Sequence, residues 1–141
     1  MSKLRITNSK SRISANGQNS EIAKEHPRDY YGLEDRTCRF SKNIAQYCKQ
    51  IPYTAINIIY IKQLVRSSGS IGANYIEANE SLGKKDFKMR IKICIKESKE
   101  SEYRLKLIAG TNSEAFHQGL YALAGEAVEF RKIFSSIANR S

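Results

Sequence analysis

The sequence predicts an all-α protein, an up-down-up-down antiparallel four-helix bundle that follows a flexible N-terminal extension. Three observations predict it. Apolar residues recur every three or four positions in four successive segments, which is the period of an amphipathic helix. Each segment runs for about 20 residues and is joined to the next by a short connection, as in bundles whose neighbours are antiparallel. No segment alternates apolar and polar residues at period two, as a half-buried strand would.

Residues 1–30 do not share the pattern. Lys3, Arg5, Lys10, Arg12, Lys24 and Arg28 stand against Glu21, Glu25 and Asp29 in a stretch rich in Ser and Asn. With almost no apolar periodicity, such a stretch buries too little surface to offset the entropy of ordering. It reads as a flexible basic extension, and residues 31–141 as the bundle.

The first helix is expected at 33–51, where Leu33, Thr37, Phe40, Ile44, Tyr47 and Ile51 step by four and three. Pro52 closes it, because proline disfavours helix in the residue before it. The second is expected at 54–82, with Ile61, Leu64, Ser68, Ile71, Tyr75, Ala78 and Leu82 in heptad phase and Gly83 as the break. Within it, Ser67-Ser-Gly-Ser-Ile-Gly-Ala73 is rich in turn residues, and glycine costs roughly 1 kcal/mol against alanine inside a helix. Propensity alone would split the helix there. The unbroken heptad phase argues for one continuous helix whose small residues let a neighbour approach closely. The third is expected at 84–109, with Phe87, Ile91, Cys94, Ser98, Ser101, Leu105 and Ile108 on its stripe. Asp86 in the first turn favours the positive helix end. The fourth is expected at 117–138, carrying Leu120, Leu123, Ala127, Phe130, Phe134 and Ile137.

Length and composition narrow the function. The 141 residues suit one domain. Mean hydropathy is −0.53, and no apolar run approaches the roughly 20 residues of a membrane span. The start, Met1-Ser-Lys-Leu-Arg-Ile-Thr-Asn8, lacks the apolar region of a secretory signal, so a cytoplasmic protein with no membrane partner is expected. Cys38, Cys48 and Cys94 lack C-x-x-C spacing, which argues against a disulfide framework and a zinc knuckle. The net charge of +10 points to a polyanionic partner.

Catalytic motifs are weak. Glu114-Ala-Phe-His117 is a single Glu-x-x-His, whereas a di-iron bundle site needs two such pairs and two more glutamates. A solvated start to the fourth helix is the simpler reading. No serine sits in Gly-x-Ser-x-Gly. Cys94 falls on a core stripe, as a small hydrophobe does. Gly83-Lys84-Lys85 has Ala78 where a phosphate loop needs its first glycine, and Lys85 where it needs Ser or Thr. No catalytic residue, metal or cofactor is expected, and an enzyme is not expected.

The basic residues carry more information. On a wheel of 100° per residue with Phe87 at zero, Lys85, Lys88, Lys92, Lys96, Lys99 and Lys106 of the third helix fall at about 100° to 180°, away from the core stripe. Tyr103 lies in the same arc and could stack on a base. A ribbon of ammonium groups of this kind suits phosphate. An ordinary solvated helix face is the competing reading, and Lys96–Glu100 and Glu102–Lys106 pairs could neutralise part of the ribbon. In the first two helices Arg36, Arg39, Lys42, Lys49, Lys62 and Arg66 occur with no acidic residue from 36 to 66; Lys62 and Arg66 are added to the candidate nucleic-acid contacts. Met89, Ile93 and Leu107 lie at about 200° to 240° on the third helix, and Ile59 lies opposite the core of the second. This second apolar face suggests burial against another subunit, with scattered exposed hydrophobes as the alternative.

Leu64-Val-Arg-Ser-Ser-Gly-Ser-Ile-Gly-Ala-Asn-Tyr-Ile-Glu-Ala78 resembles the second-helix signature of the small four-helix-bundle family encoded by intervening sequences in bacterial 23S ribosomal RNA genes. Tyr31–Phe40, Lys84-Lys-Asp-Phe87 and Lys92–Tyr103 add weaker support. The resemblance covers about residues 31 to 138. It implies a bundle with a continuous second helix, assembled as a ring that is typically a homopentamer, and it brings no established enzymatic activity. The family is similar to the accessory variability protein of diversity-generating retroelements, a basic pentamer that binds nucleic acid and a reverse transcriptase. Mapped onto the signature, the polar positions are Arg66, Ser70, Asn74 and Glu77, joined by Lys92, Glu97 and Glu100 of the third helix. The resemblance implies inter-helix or inter-subunit contacts for them, with direct ligand contact as the alternative. Two functions follow as expectations: a homo-oligomeric RNA- or DNA-binding protein, or a scaffold that docks an acidic protein or a nucleic-acid enzyme such as a reverse transcriptase.

Overall fold

In a computed structural model that describes Asp29 and residues 32–141, four α-helices follow one another: α1 (Leu33–Cys48), α2 (Ala55–Asn79), α3 (Lys84–Gly110) and α4 (His117–Arg140). A 3₁₀ turn, Glu114–Phe116, leads into α4. No strand occurs among the described residues. The extension expected over residues 1–30 lies, apart from Asp29, outside them.

Each helix starts where the chemistry favours it. Gly32 precedes α1 at φ 62°, in the left-handed region that glycine tolerates, and Glu34 and Asp35 occupy the positive first turn. Thr54 caps α2 by accepting a hydrogen bond from the Asn57 amide at 3.1 Å. Asp86 sits in the first turn of α3.

Contacts between helices give their directions. Asn57 and Asn112 exchange two side-chain hydrogen bonds, each 2.9 Å, and tie the start of α2 to the chain just past α3. Farther along α2, Ser67 meets Ser101 at 2.8 Å and Asn74 meets Arg90 at 3.1 Å. Rising numbers on one helix meet falling numbers on the other, so α2 and α3 are antiparallel. Asn79 bonds Glu34 across α1 and α2. Arg36 bonds Glu126 across α1 and α4, and the Tyr47 hydroxyl donates to the Phe116 carbonyl at the start of α4. The same reversal holds in each pair, as up-down-up-down topology requires.

The apolar stripes meet in one core. Leu33, Phe40, Ile44, Leu64, Ile71, Tyr75, Ile91, Leu105, Ile108, Leu120, Phe130 and Phe134 are all fully buried. Phe40 meets Phe130 edge-on at 5.2 Å, and Tyr75 lies 5.5 Å from Phe134, separations at which aromatic pairs attract.

The Ser67–Ala73 stretch is helical throughout. Its hydroxyls find acceptors within the helix, Ser67 on the Leu64 carbonyl and Ser68 on the Val65 carbonyl. At Gly72 α1 packs closely on α2. A Cβ there would lie 2.7 Å from Thr37 Oγ1, and Thr37 is buried with its hydroxyl donated to the Leu33 carbonyl at 2.7 Å. Packing, which propensity does not count, holds this segment in the helix.

The helix ends differ from expectation. α1 stops at Cys48 rather than 51, because the amides of Lys49, Gln50 and Ile51 turn to carbonyls three residues back, a tightening typical of helix termini. Ile51 is buried all the same. α2 stops at Asn79 rather than 82, where the Ser81 amide and hydroxyl both bond the Ala78 carbonyl. Leu82, placed on the core stripe by its spacing, is therefore fully exposed in the connection. Tyr47, Ile61 and Leu123 pack only partly buried against the core.

Two of the three thiols belong to this core. Burial pushes Cys48 from 9.0 to about 11 and Cys94 to about 12, and Cys94 donates weakly to the Ile71 carbonyl at 3.4 Å. Cys38 is exposed. At pH 8, an alkylating reagent is expected to modify one thiol quickly in the native protein and three in denaturant. The same shifts set a pH dependence. Above about pH 9 unfolded thiols ionise while these two stay protonated, so stability falls as pH rises from 9 toward 11. Rapid native labelling of two or three thiols would contradict their burial.

Candidate nucleic-acid interface

The lysines of α3 stand on its solvent side. Lys85, Lys88, Lys92, Lys96 and Lys99 are exposed, and none makes an ion pair with another described residue. They recur every three or four residues, so their backbone positions rise along the helix by roughly 5 Å at each step. Lys106 differs, since it donates to Glu102 at 2.8 Å. Glu102 also faces Arg131 of α4 at 3.7 Å, a cation that the single-helix wheel did not reveal. The Tyr103 ring is 57% exposed, with the Arg104 guanidinium 5.7 Å from its centre. Five unpaired ammonium groups and one accessible ring therefore share this face.

Other cations are placed differently. Arg66 of α2 sits on the flank of α3 that packs against α2, where its Nη2 lies 2.6 Å from Glu100 and 3.6 Å from Glu97. Lys62 is exposed on α2, the helix packed on that flank. Neither joins the α3 ribbon. Arg36 makes a bidentate pair with Glu126, both bonds 2.8 Å, and those bonds hold its guanidinium more firmly protonated than usual. Arg39 pairs with Asp35. Glu100, expected opposite Lys96, is taken by Arg66 and by Arg104 at 3.6 Å. Fork-shaped guanidinium groups within reach displace the flexible ammonium.

The polar positions of the signature form a strip along α2 and α3. Asn74 donates to the Ser70 carbonyl and hydroxyl at 2.9 Å and accepts from Arg90. Arg66, Glu97 and Glu100 make the inter-helix pairs just described. Glu77 is exposed, and Lys92 belongs to the lysine face instead. Arg90 and Arg104 were not foreseen, because their partners lie on different turns or a different helix. Of the apolar candidates, Ile59 and Met89 are about half exposed, and Ile93 and Leu107 are partly buried.

The Glu114–His117 motif lies at the start of α4. His117 Nε2 lies 2.7 Å from the Ala109 carbonyl, and its ring meets Tyr121 edge-on at 5.7 Å. It fastens α4 to the end of α3 rather than standing in solvent. Among the described residues no group of three or more His, Cys, Asp or Glu could hold a metal ion. Among the described residues no helix is long and apolar enough to cross a membrane.

A family model for 23S rRNA-intervening sequence proteins matches residues 33–136, spanning all four helices. The chain belongs to that family. This family member is also similar to a crystal structure from Bacteroides thetaiotaomicron, described as a protein of unknown function from the S23 ribosomal protein family. Identity is 27% and the TM-score 0.64, over 75% of this chain and 97% of the other. No curated protein matches this family member.

Proposed function

We propose that this family member is a non-enzymatic, homo-oligomeric basic protein that binds RNA or DNA through phosphate contacts along α3. One observation carries the reading: Lys85, Lys88, Lys92, Lys96 and Lys99 are exposed together on one helix face without a carboxylate partner among the described residues. Structural ion pairs absorb Arg36, Arg39, Arg66, Arg104 and Lys106; Lys42, Lys49, Lys62, Lys84 and Lys132 are exposed outside those pairs too, but the ribbon gathers five lysines on one helix face. The contacts are to backbone, so sequence discrimination is low. The family resemblance supports a ring of five copies, in which repeated weak sites act together by avidity.

The mechanism is release of condensed counterions. Each phosphate neutralised on a single strand contributes about −0.7 to the slope of log affinity against log salt. Five contacts therefore give a slope of about −3.5 on single-stranded RNA. Affinity measured across a salt series on RNA and on duplex DNA checks this. A slope near zero, or no binding at low salt, would refute it. A partner retained after nuclease treatment would favour the scaffold reading instead.

A further inference from the structure

The lysine row of α3 ends in a ring rather than in another free cation. Positions 85, 88, 92, 96, 99 and 103 follow one another by three or four residues, and the last of them is tyrosine. Tyr103 therefore stands one step, roughly 6 Å, beyond Lys99 on the same face. It is more than half exposed. The next cation in the row, Lys106, is already held by Glu102 at 2.8 Å, and that carboxylate repels a phosphate arriving there. Free ammonium groups thus stop at Lys99, and the face next offers an aromatic surface.

The ring is braced. The Arg104 guanidinium lies 5.7 Å from its centre, within the range of a cation–π contact. Arg104 is 3.6 Å from Glu100, and Glu100 is bonded by Arg66 of α2 at 2.6 Å. A chain of charged side chains from two helices therefore backs the ring, while much of it stays open to solvent.

An open ring beside a row of cations suits an unstacked base. Every base has a face that stacks on an aromatic side chain, but in a duplex those faces are covered by neighbouring base pairs, and exposing one costs unstacking energy. The length of the row points the same way. From Lys85 to Tyr103 it runs along one helix for roughly 27 Å. A duplex winds its backbone through a full turn in about 34–36 Å, so each strand leaves such a row after a few phosphates, whereas a single strand can lie along it.

We propose that this face takes a single-stranded polynucleotide in preference to a duplex, with phosphates on the lysines and one unstacked base on the Tyr103 ring. The assignment rests on the phosphate-binding reading above and adds the strand class to it.

Anisotropy titrations of the full chain with labelled oligo(U), oligo(dT) and a duplex, each about 12 nucleotides long, test the proposal. The wild type is expected to favour both single strands over the duplex. Tyr103→Ala is expected to lower single-strand affinity about tenfold and duplex affinity less than about twofold, with both salt slopes unchanged because a ring releases no counterion. Tyr103→Phe, which keeps the ring, should stay close to wild type. The chain has no tryptophan, so the indole introduced by Tyr103→Trp is a lone reporter, expected to lose fluorescence on saturation with either single strand and to keep it on the duplex. Tighter binding to oligo(U) or to oligo(dT) tells RNA from DNA, and either supports the assignment. A wild type that prefers the duplex, or a Tyr103→Ala variant that binds single strands undiminished or loses equally on the duplex, overturns the proposal and leaves phosphate binding standing. Absence of binding to all three polymers at low salt refutes phosphate binding itself, and this assignment with it.

Discussion

Replacing Lys92, Lys96 and Lys99 together by glutamate is expected to weaken binding to RNA and DNA about 100-fold and to reduce the salt slope on single strands by about 2. Each ammonium at contact distance from a phosphate is worth about 1 kcal/mol in bulk water. Reversal converts attraction to repulsion, so three sites change the interaction by up to about 6 kcal/mol before screening. A Debye length of about 8 Å at physiological salt leaves roughly half of that. The fold should persist, because all three side chains are exposed and glutamate is nearly as good a helix former as lysine. New like-charge neighbours on α3 cost only a few tenths of a kcal/mol each. Lys62→Glu supplies the contrast. It changes net charge in the same direction but lies on α2, away from the ribbon, and is expected to lower affinity only a fewfold. Equal losses per charge at both places would mean that total charge, not this face, governs binding. Undiminished binding by the triple variant would remove the ribbon as the site.

The two flanks of α3 differ in how far the sequence alone could reveal them. Lysines at positions 85, 88, 92, 96 and 99 share a face by helical phase alone, and no other helix changes that. The heptad stripes were legible for the same reason, and most of the residues they select fill the core, Leu82 being the exposed exception. Partner choice was not legible. Glu100 stands four residues from Lys96, yet it binds Arg66, distant in sequence, because the antiparallel register of α2 and α3 sets those turns side by side. The burial of Glu97 has the same origin: one helix shows it at the edge of a stripe, and only the packed pair covers it. Helix ends failed on local grounds. Leu82 fits the heptad, but Ser81 bonds back to the Ala78 carbonyl and ends the helix before it. The Gly-Ser stretch in α2 shows propensity overruled, since Gly72 is needed where Thr37 packs against it.

Phe130→Ala is expected to destabilise the bundle by about 3–5 kcal/mol, a large part of the roughly 5–15 kcal/mol that holds a domain together. Phe130 is fully buried on α4. It meets Phe40 of α1 at 5.2 Å and Phe134 at 6.2 Å, and the Arg36 guanidinium lies 5.1 Å from its ring centre. Truncation would leave a cavity between the first and last helices that neighbours on rigid helices fill poorly. Arg36→Ala removes the ion pair beside it. That pair is nearly one-third exposed on each side, so screening leaves it at most about 1 kcal/mol. The contact over the ring adds about 0.5–1 kcal/mol. Thermal unfolding should therefore rank Phe130→Ala well below Arg36→Ala, with a midpoint loss of roughly 10–25 °C against about 5–10 °C. The reverse order would mean that the Arg36–Glu126 fork, rather than aromatic burial, closes α1 onto α4. Since the fork is the part exposed to salt, that outcome would also make the melting point fall in concentrated salt, whereas closure by burial leaves it largely insensitive to salt.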